Sequence, residues 1–160
     1  MTNPGEVAGE ALAEFPLFAQ LPAAQRVLIS RAAHAVSFEA GRRVFCEGQP
    51  ARGCWLIRAG HVAIDAHVPV RGAVVVQTLG PGDVLGWSWL VPPYRWHFGA
   101  TAIEPVSAIE LDTVQLRALA EQDPRFGHRL TLTLFEALLD RLQATRTRLL
   151  DLYDGARHQF

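Results

Sequence analysis

Apolar residues recur along this chain with two different periods, and the change of period marks out its elements. Residues 1 to about 13 are small and polar, which predicts a flexible N-terminus. Phe15-Pro16-Leu17-Phe18-Ala19-Gln20-Leu21-Pro22 is an apolar entry loop. Pro22 stands where a helix begins, since its missing N–H costs nothing there. Val27, Leu28 and Ala32 then supply a buried face through about Ala35. From Val36 the period becomes two. Val36 and Phe38, Arg42 to Glu47, Cys54 to Ala59, His61 to Val68, Val74 to Leu79, Val84-Leu85, Phe98 to Ile103, and Val106 to Leu111 read as eight short strands. In the fourth, Val62, Ile64, Ala66 and Val68 face inward and His61, Ala63, Asp65 and His67 outward. Turns at Ala40-Gly41, Gly48-Gln49-Pro50, Gly60, Gly80-Pro81-Gly82 and Glu104-Pro105 separate them. Strands of this length and spacing predict a sandwich or jelly roll.

The helical period then returns. Asp112 with Gln115 three residues on is a capping pattern, and Leu116, Leu119 and Ala120 form a stripe behind it. Asp123-Pro124 repeats the start signal and opens a long helix over 124–153, with 154–160 as a tail. Phe135, Leu138, Leu142, Thr145, Leu149 and Leu152 are spaced three and four apart, as in a coiled-coil seam. Phe126, Leu130, Leu134 and Leu139 add apolar surface outside it. The fold class is therefore mainly β with flanking helices. A roll over 14–123 is followed by a helix whose Phe135, Leu138, Leu142, Leu149 and Leu152 predict a homodimer interface.

Composition narrows the function. Nearly half of the 160 residues are apolar, enough for a real core. The net charge of −1 gives no basic field for nucleic acid. All 15 cations are arginines, a side chain suited to planar anions. No apolar run approaches the roughly eighteen residues of a membrane helix, and Met1 to Glu10 lacks the pattern of a signal peptide. Two cysteines, Cys46 and Cys54, do not make a disulfide framework, so a cytoplasmic protein with reduced thiols is expected.

The chemistry-bearing stretch is Gly80 to Ala102, GPGDVLGWSWLVPPYRWHFGATA. Trp87, Trp89, Tyr94, Trp96 and Phe98 crowd around Gly86 and the pair Pro92-Pro93, which forbids one continuous helix. Ser88, Arg95, His97 and Thr101 are the polar side chains able to face a pocket here. Arg95 can pair with an anion bidentately, or lie on the surface after the diproline turn. Ser88 and His97 can hydrogen-bond a phosphate, or be satisfied polar groups in a tight loop. The aromatic rings can stack on a planar ligand, or simply fill the space. The candidate ligand-binding residues are thus Gly86, Trp87, Ser88, Trp89, Arg95, Trp96, His97 and Thr101.

Several patterns resemble the cyclic-nucleotide-binding domain of the catabolite-activator (Crp/Fnr-like) family. Pro16 to Pro22 is similar to its PLFxxLP opening. Glu47-Gly48 followed by Trp55-Leu56-Ile57-Arg58-Ala59-Gly60-His61-Val62 is similar to its EG…YxIxxGxV. Leu79-Gly80-Pro81-Gly82-Asp83-Val84-Leu85-Gly86 is similar to the LxxGDxFG that opens its phosphate-binding cassette. The resemblance covers about residues 15–153 and implies an eight-stranded β-roll with an N-terminal, a short and a long C-terminal helix. It also implies a regulatory role, with pocket occupancy changing helix geometry for an effector protein to read.

Two departures accompany it. Where the family has a glutamate that holds the ribose, this chain has Trp87. Where the family has the arginine that pairs with the cyclic phosphate, it has Trp96 or His97, with Arg95 alongside. Weak or absent cyclic AMP binding is expected, and any ligand should be more apolar or aromatic. The chain also reaches its last residue where the winged DNA-reading helix would begin, so a stand-alone module without DNA binding is expected. The rival expectation is a structural dimeric interaction module with a filled pocket. None of the six histidines has the helical spacing of a metal pair; haem held by one histidine is a minor possibility. Gly86-Trp87-Ser88-Trp89-Leu90 is not a nucleophile elbow, and no phosphate loop or catalytic carboxylate pair is present, so no enzyme is expected.

Overall fold

The computed structural model describes residues 7–157. Three short helices, α1 (Gly9–Leu12), α2 (Pro16–Ala19) and α3 (Ala23–Ser30), precede eight strands. These are β1 (Ala33–Phe38), β2 (Arg43–Phe45), β3 (Gly53–Ala59), β4 (Val62–Val68), β5 (Gly72–Leu79), β6 (Val84–Leu85), β7 (Gly99–Ala102) and β8 (Val106–Asp112). Helices α4 (Thr113–Gln122) and α5 (Pro124–Arg157) follow. The strands form two four-stranded antiparallel sheets, ordered β1-β8-β3-β6 and β2-β7-β4-β5. This is the expected jelly roll with flanking helices.

Register places the core. Cys54 lies opposite Leu111 and Leu56 opposite Ile109, and all four are buried. Trp55 and Ile57 alternate to the other face of β3. There Trp55 stacks on Phe45, which belongs to the second sheet, so that face looks into the space between the sheets. Gly60 makes the turn from β3 to β4. Its φ is +84°, and a Cβ there would sit 2.2 Å from the Pro105 carbonyl oxygen, so no other residue fits.

Four details differ from the sequence pattern. The segment expected to be flexible through residue 13 carries α1, with Val7 and Leu12 buried; residues 1–6 lie outside those described. Helix α3 ends at Ser30 rather than near Ala35, and its buried residue is Ile29, while Val27 is exposed. Val62 and Ile64 of β4 are buried as expected, but Ala63, expected outward, is buried as well. A register shift falls between Ile64 and Asp65, Asp65 is buried, and Val68 is exposed. The long helix runs on to Arg157, through residues read as a tail.

The chain divides into two compact units, one through Leu119 and one from Ala120. Both helix starts behave as the capping residues predict. The Asp112 carboxylate accepts from the N–H groups of Val114 and Gln115, each at 3.0 Å. Asp123 does the same for Arg125 and Phe126, at 3.1 and 3.3 Å. In the second unit Phe126, Leu130 and Leu134 are buried. The seam residues Phe135, Leu138, Leu142, Leu149 and Leu152 are exposed, Leu152 to 72%.

Candidate functional site

The segment between β5 and β7, which contains β6, has an entry limb, a loop and an exit limb. The entry limb is a tight turn. Gly80 N–H donates to the Asp83 carboxylate (2.9 Å) and Asp83 N–H to the Gly80 carbonyl (3.0 Å). Gly82, at φ +89°, donates to the Ile57 carbonyl, and Ile57 N–H donates back to the Asp83 carbonyl. The turn is thereby fixed to β3. Gly86 follows at φ +95°. A Cβ there would lie 2.9 Å from the Trp96 ring and 3.0 Å from the Gly53 carbonyl oxygen, so both the conformation and the space require glycine.

The loop begins with a turn at Trp87–Leu90, closed by Leu90 N–H on the Trp87 carbonyl. Trp89 is buried beside Cys54, Trp87 and Ser88 are half-buried, and the Pro92-Pro93 peptide is cis. Burial pushes the Cys54 thiol up to about 12, so it remains protonated and unreactive at neutral pH.

The exit limb is zipped to the turn between β2 and β3. Ala51 N–H donates to the Tyr94 carbonyl (2.8 Å), Trp96 N–H to the Gln49 carbonyl (2.9 Å), and Gly48 N–H to the Trp96 carbonyl (2.8 Å). Side chains alternate along this extended limb. Arg95 is exposed, and its Nη1 donates to the Gly48 carbonyl at 2.8 Å. Trp96 is buried. Its ring stacks on Phe45 with centroids 3.9 Å apart and planes 13° apart, and it lies 6.0 Å from Trp55. Phe45 and Trp55 are themselves stacked at 5.7 Å, and Phe38 meets Trp55 edge-on at 6.4 Å. Phe38, Phe45, Trp55 and Trp96 thus form one aromatic cluster, worth about 0.5–1.5 kcal/mol per pair beyond the area they bury.

The candidate residues therefore separate. Gly86 and Trp96 meet in the interior. Ser88 Oγ and His97 Nδ1 are 3.3 Å apart, with His97 exposed. Thr101 lies elsewhere, accepting from Arg43 Nη1 at 2.9 Å. Arg43 also makes two hydrogen bonds to the buried Asp65 carboxylate, one of them Nη2 to Oδ1 at 2.9 Å. The Asp65 hydrogen bonds hold the guanidinium above its ordinary pKa. Gly99 makes room for this pair, since a Cβ there would sit 1.9 Å from Arg43 Nη2. Tyr94, at φ +55°, turns outward, and the Arg117 guanidinium stands 4.1 Å from its ring centre. A cavity of about 240 Å³ lies beside them, lined by Pro50, Arg52, Thr113 and Val114.

Sequence pattern alone missed Phe45 and Trp55 as neighbours of the cassette, and missed Arg43 and Asp65 as a pair. For Phe45 the signal was its aromatic side chain in a short strand between turns. For Asp65 none existed, because its partner is 22 residues away on a different strand. Among the described residues, no three His, Cys, Asp or Glu side chains are grouped so as to hold a metal ion.

Residues 35–123, more than half of the chain, match the cyclic nucleotide-binding domain family, and the chain belongs to that family. It is 27% identical over 143 residues to the CRP-like cAMP-activated global transcriptional regulator of Mycobacterium tuberculosis, covering 89% of this chain and 62% of that protein. The chain thus spans about three fifths of that relative's length. Among solved structures it is similar to a Geobacter metallireducens protein that bears the name of a cyclic nucleotide-binding protein. There the identity is 27% and the TM-score 0.76, with 85% of this chain and 98% of that one covered. A cyclic nucleotide-binding domain from Methylobacillus flagellatus shares the fold at TM-score 0.76 and 19% identity, with 90% and 81% covered. The fold and the domain family are those the sequence resemblance implied.

Proposed function

We propose that this chain is a cytoplasmic regulatory module that forms a homodimer along α5 and acts on an effector protein, with Trp96 instead of a cyclic nucleotide inside its cassette. The supporting observation is the Trp96 ring, packed flat on Phe45 and against Gly86. Trp96 is one of the two positions at which the family resemblance places the phosphate arginine. Trp87 stands where the ribose carboxylate would be, and the Arg95 guanidinium is bonded to the Gly48 carbonyl at the surface. Among the described residues no helix is long and apolar enough to cross a membrane, and the net charge is −1; the recipient in this reading is a protein.

Loss of two charge-assisted contacts, each worth about 1.5–3 kcal/mol, moves a micromolar site toward the millimolar range. Calorimetry with cyclic AMP and cyclic GMP, read beside tryptophan fluorescence, is expected to show no saturation at micromolar concentrations. Saturable binding in the low micromolar range overturns the reading.

A second reading keeps the pocket open to a more apolar or aromatic ligand held by Trp87, Trp89 and Trp96. It is favoured by the buried indole N–H groups of Trp55 and Trp87, which have no acceptor. An unsatisfied buried donor costs about 1–3 kcal/mol, and a ligand oxygen or nitrogen would recover it. A native mass spectrum of the purified protein separates the two: bare chain favours the first, a retained small molecule the second.

A further inference from the structure

We infer that Trp96 acts as a built-in ligand, ordering the cassette in the way a bound molecule would, so that the domain is held in one state without an effector. This rests on the reading that Trp96 fills the cassette, and adds what the filling does. The ring touches each part that a ligand would have to bring together. It stacks on Phe45 of β2 in one sheet, and Trp55 of β3 in the other sheet lies 6.0 Å away. It also reaches Gly86 at the head of the loop, where a single added carbon would be 2.9 Å from it. A residue near the end of the segment thus closes on its beginning.

The backbone supports the same closure. Residues 94–96 are joined to residues 48–51 by three backbone hydrogen bonds, and Arg95 adds a fourth through its side chain. The limb that carries the ring is therefore a short extra strand on the β2–β3 turn, where Pro50 and Arg95 form a bridge. Alternation along a strand puts neighbouring side chains on opposite sides, so fixing Trp96 inward also fixes Arg95 outward; Tyr94, two residues before Trp96, leaves the extended conformation at φ +55° and is exposed. Tyr94 then offers its ring to Arg117 on α4. Both the interior contact and the contact to α4 belong to one three-residue limb.

The closure also has a conformational cost that something must offset. Gly86 and Tyr94 both have positive φ, and Tyr94 does so with a bulky side chain. Such a loop is drawn from the less stable part of a fold, and it persists when surrounding contacts over-determine it. Trp96 is the buried side chain of the limb and is stacked on Phe45, which places the holding of the loop on its ring.

The test is hydrogen exchange followed by mass spectrometry on the full chain, comparing wild type with Trp96→Leu, Trp96→Ala and Trp96→Phe. Trp96→Leu keeps apolar volume without a stack, and serves if Trp96→Ala does not fold. Protection in 86–96 and 48–51 is expected to fall by about tenfold or more in the Leu and Ala variants, with β3 and β8 unchanged, as for a local opening. Trp96→Phe should retain most of it, and millimolar free indole should restore protection to the Ala variant wherever that variant folds. Two results overturn the inference: wild-type protection of the cassette in Trp96→Leu, or an equal loss over every strand of the roll in both Leu and Phe variants. The cyclic AMP titration reports separately on whether the filled pocket excludes nucleotide. Tight nucleotide binding in wild type would fail that reading even if the variants opened as expected.

Discussion

The roll and the last helix are both rich in large apolar side chains, and they dispose of them in opposite ways. The roll turns Phe45, Trp55 and Trp96 onto one another, and all three are less than a tenth exposed. Helix α5 leaves Phe135, Leu138, Leu142, Leu149 and Leu152 uncovered along one seam. The pocket region keeps the unpaired indole N–H groups of Trp55 and Trp87, but the larger uncovered apolar surface is on the helix. Burying a leucine is worth about 1.5–3 kcal/mol, so a row of exposed ones marks a surface that stability alone does not explain. The difference directs attention to what the helix assembles with.

The contrast is broken most directly at Leu142. In a dimer with paired seams, Leu142→Glu removes two buried leucines and opposes two carboxylates, a loss of about 3–6 kcal/mol and at least a hundredfold in dissociation constant. Sedimentation velocity should show a wild-type dimer and a monomeric variant with an unchanged circular dichroism spectrum. Wild type already monomeric at micromolar concentration would remove the seam's role.

On the side of the roll, Asp65→Ala tests whether its polar contacts are as complete as its aromatic ones. The carboxylate is buried and the Arg43 side chain is 39% exposed, so solvent screening reduces what the pair is worth. A loss of about 1–2 kcal/mol is expected in urea denaturation, with the slope unchanged. Asp65→Asn should fall between, since it keeps one acceptor. No change in midpoint would show that the pair contributes nothing measurable.

The effect that vanishes at neutral pH concerns Cys54. Its thiol is raised from an ordinary 9.0 to about 12 by burial. Below pH 9 both folded and unfolded chains hold the proton, and the full stability is present. Between these values the unfolded chain ionises and the folded one does not. Stability therefore falls as pH rises, by about 1.4 kcal/mol per unit from this group. Cys54→Ala should show a shallower alkaline decline than wild type in denaturation midpoints measured from pH 8 to 11. Parallel curves would contradict the assignment.

Local chemistry made most of the fold legible. Gly82 and Gly86 mark turns at positive φ that favour glycine, and the chain bends there as written. Asp112 and Asp123 announced their helices because a cap acts within three residues. Period-two runs placed all eight strands within a few residues of their observed bounds. Failures began where the partner was remote. Asp65 looked like an outward residue of an alternating strand until Arg43 reached it across Gly99. Val27 looked buried because helical spacing defines a stripe but not which side of it meets the core.

The sequence by itself determined that a roll, a glycine-turn cassette without the usual acid and arginine, and a seamed helix would be present. These follow from period, turn residues and residue identity, which are short-range properties. Only the tertiary structure decided which side chain enters the cassette. Arg95 and Trp96 are adjacent, and either could face inward until the limb pairs with residues 48–51 and sets the alternation. That pairing joins segments more than forty residues apart, so no local pattern encodes it. It sends the indole onto Phe45 and the guanidinium to the Gly48 carbonyl, and so fills the cassette with a ring instead of lining it with a charge.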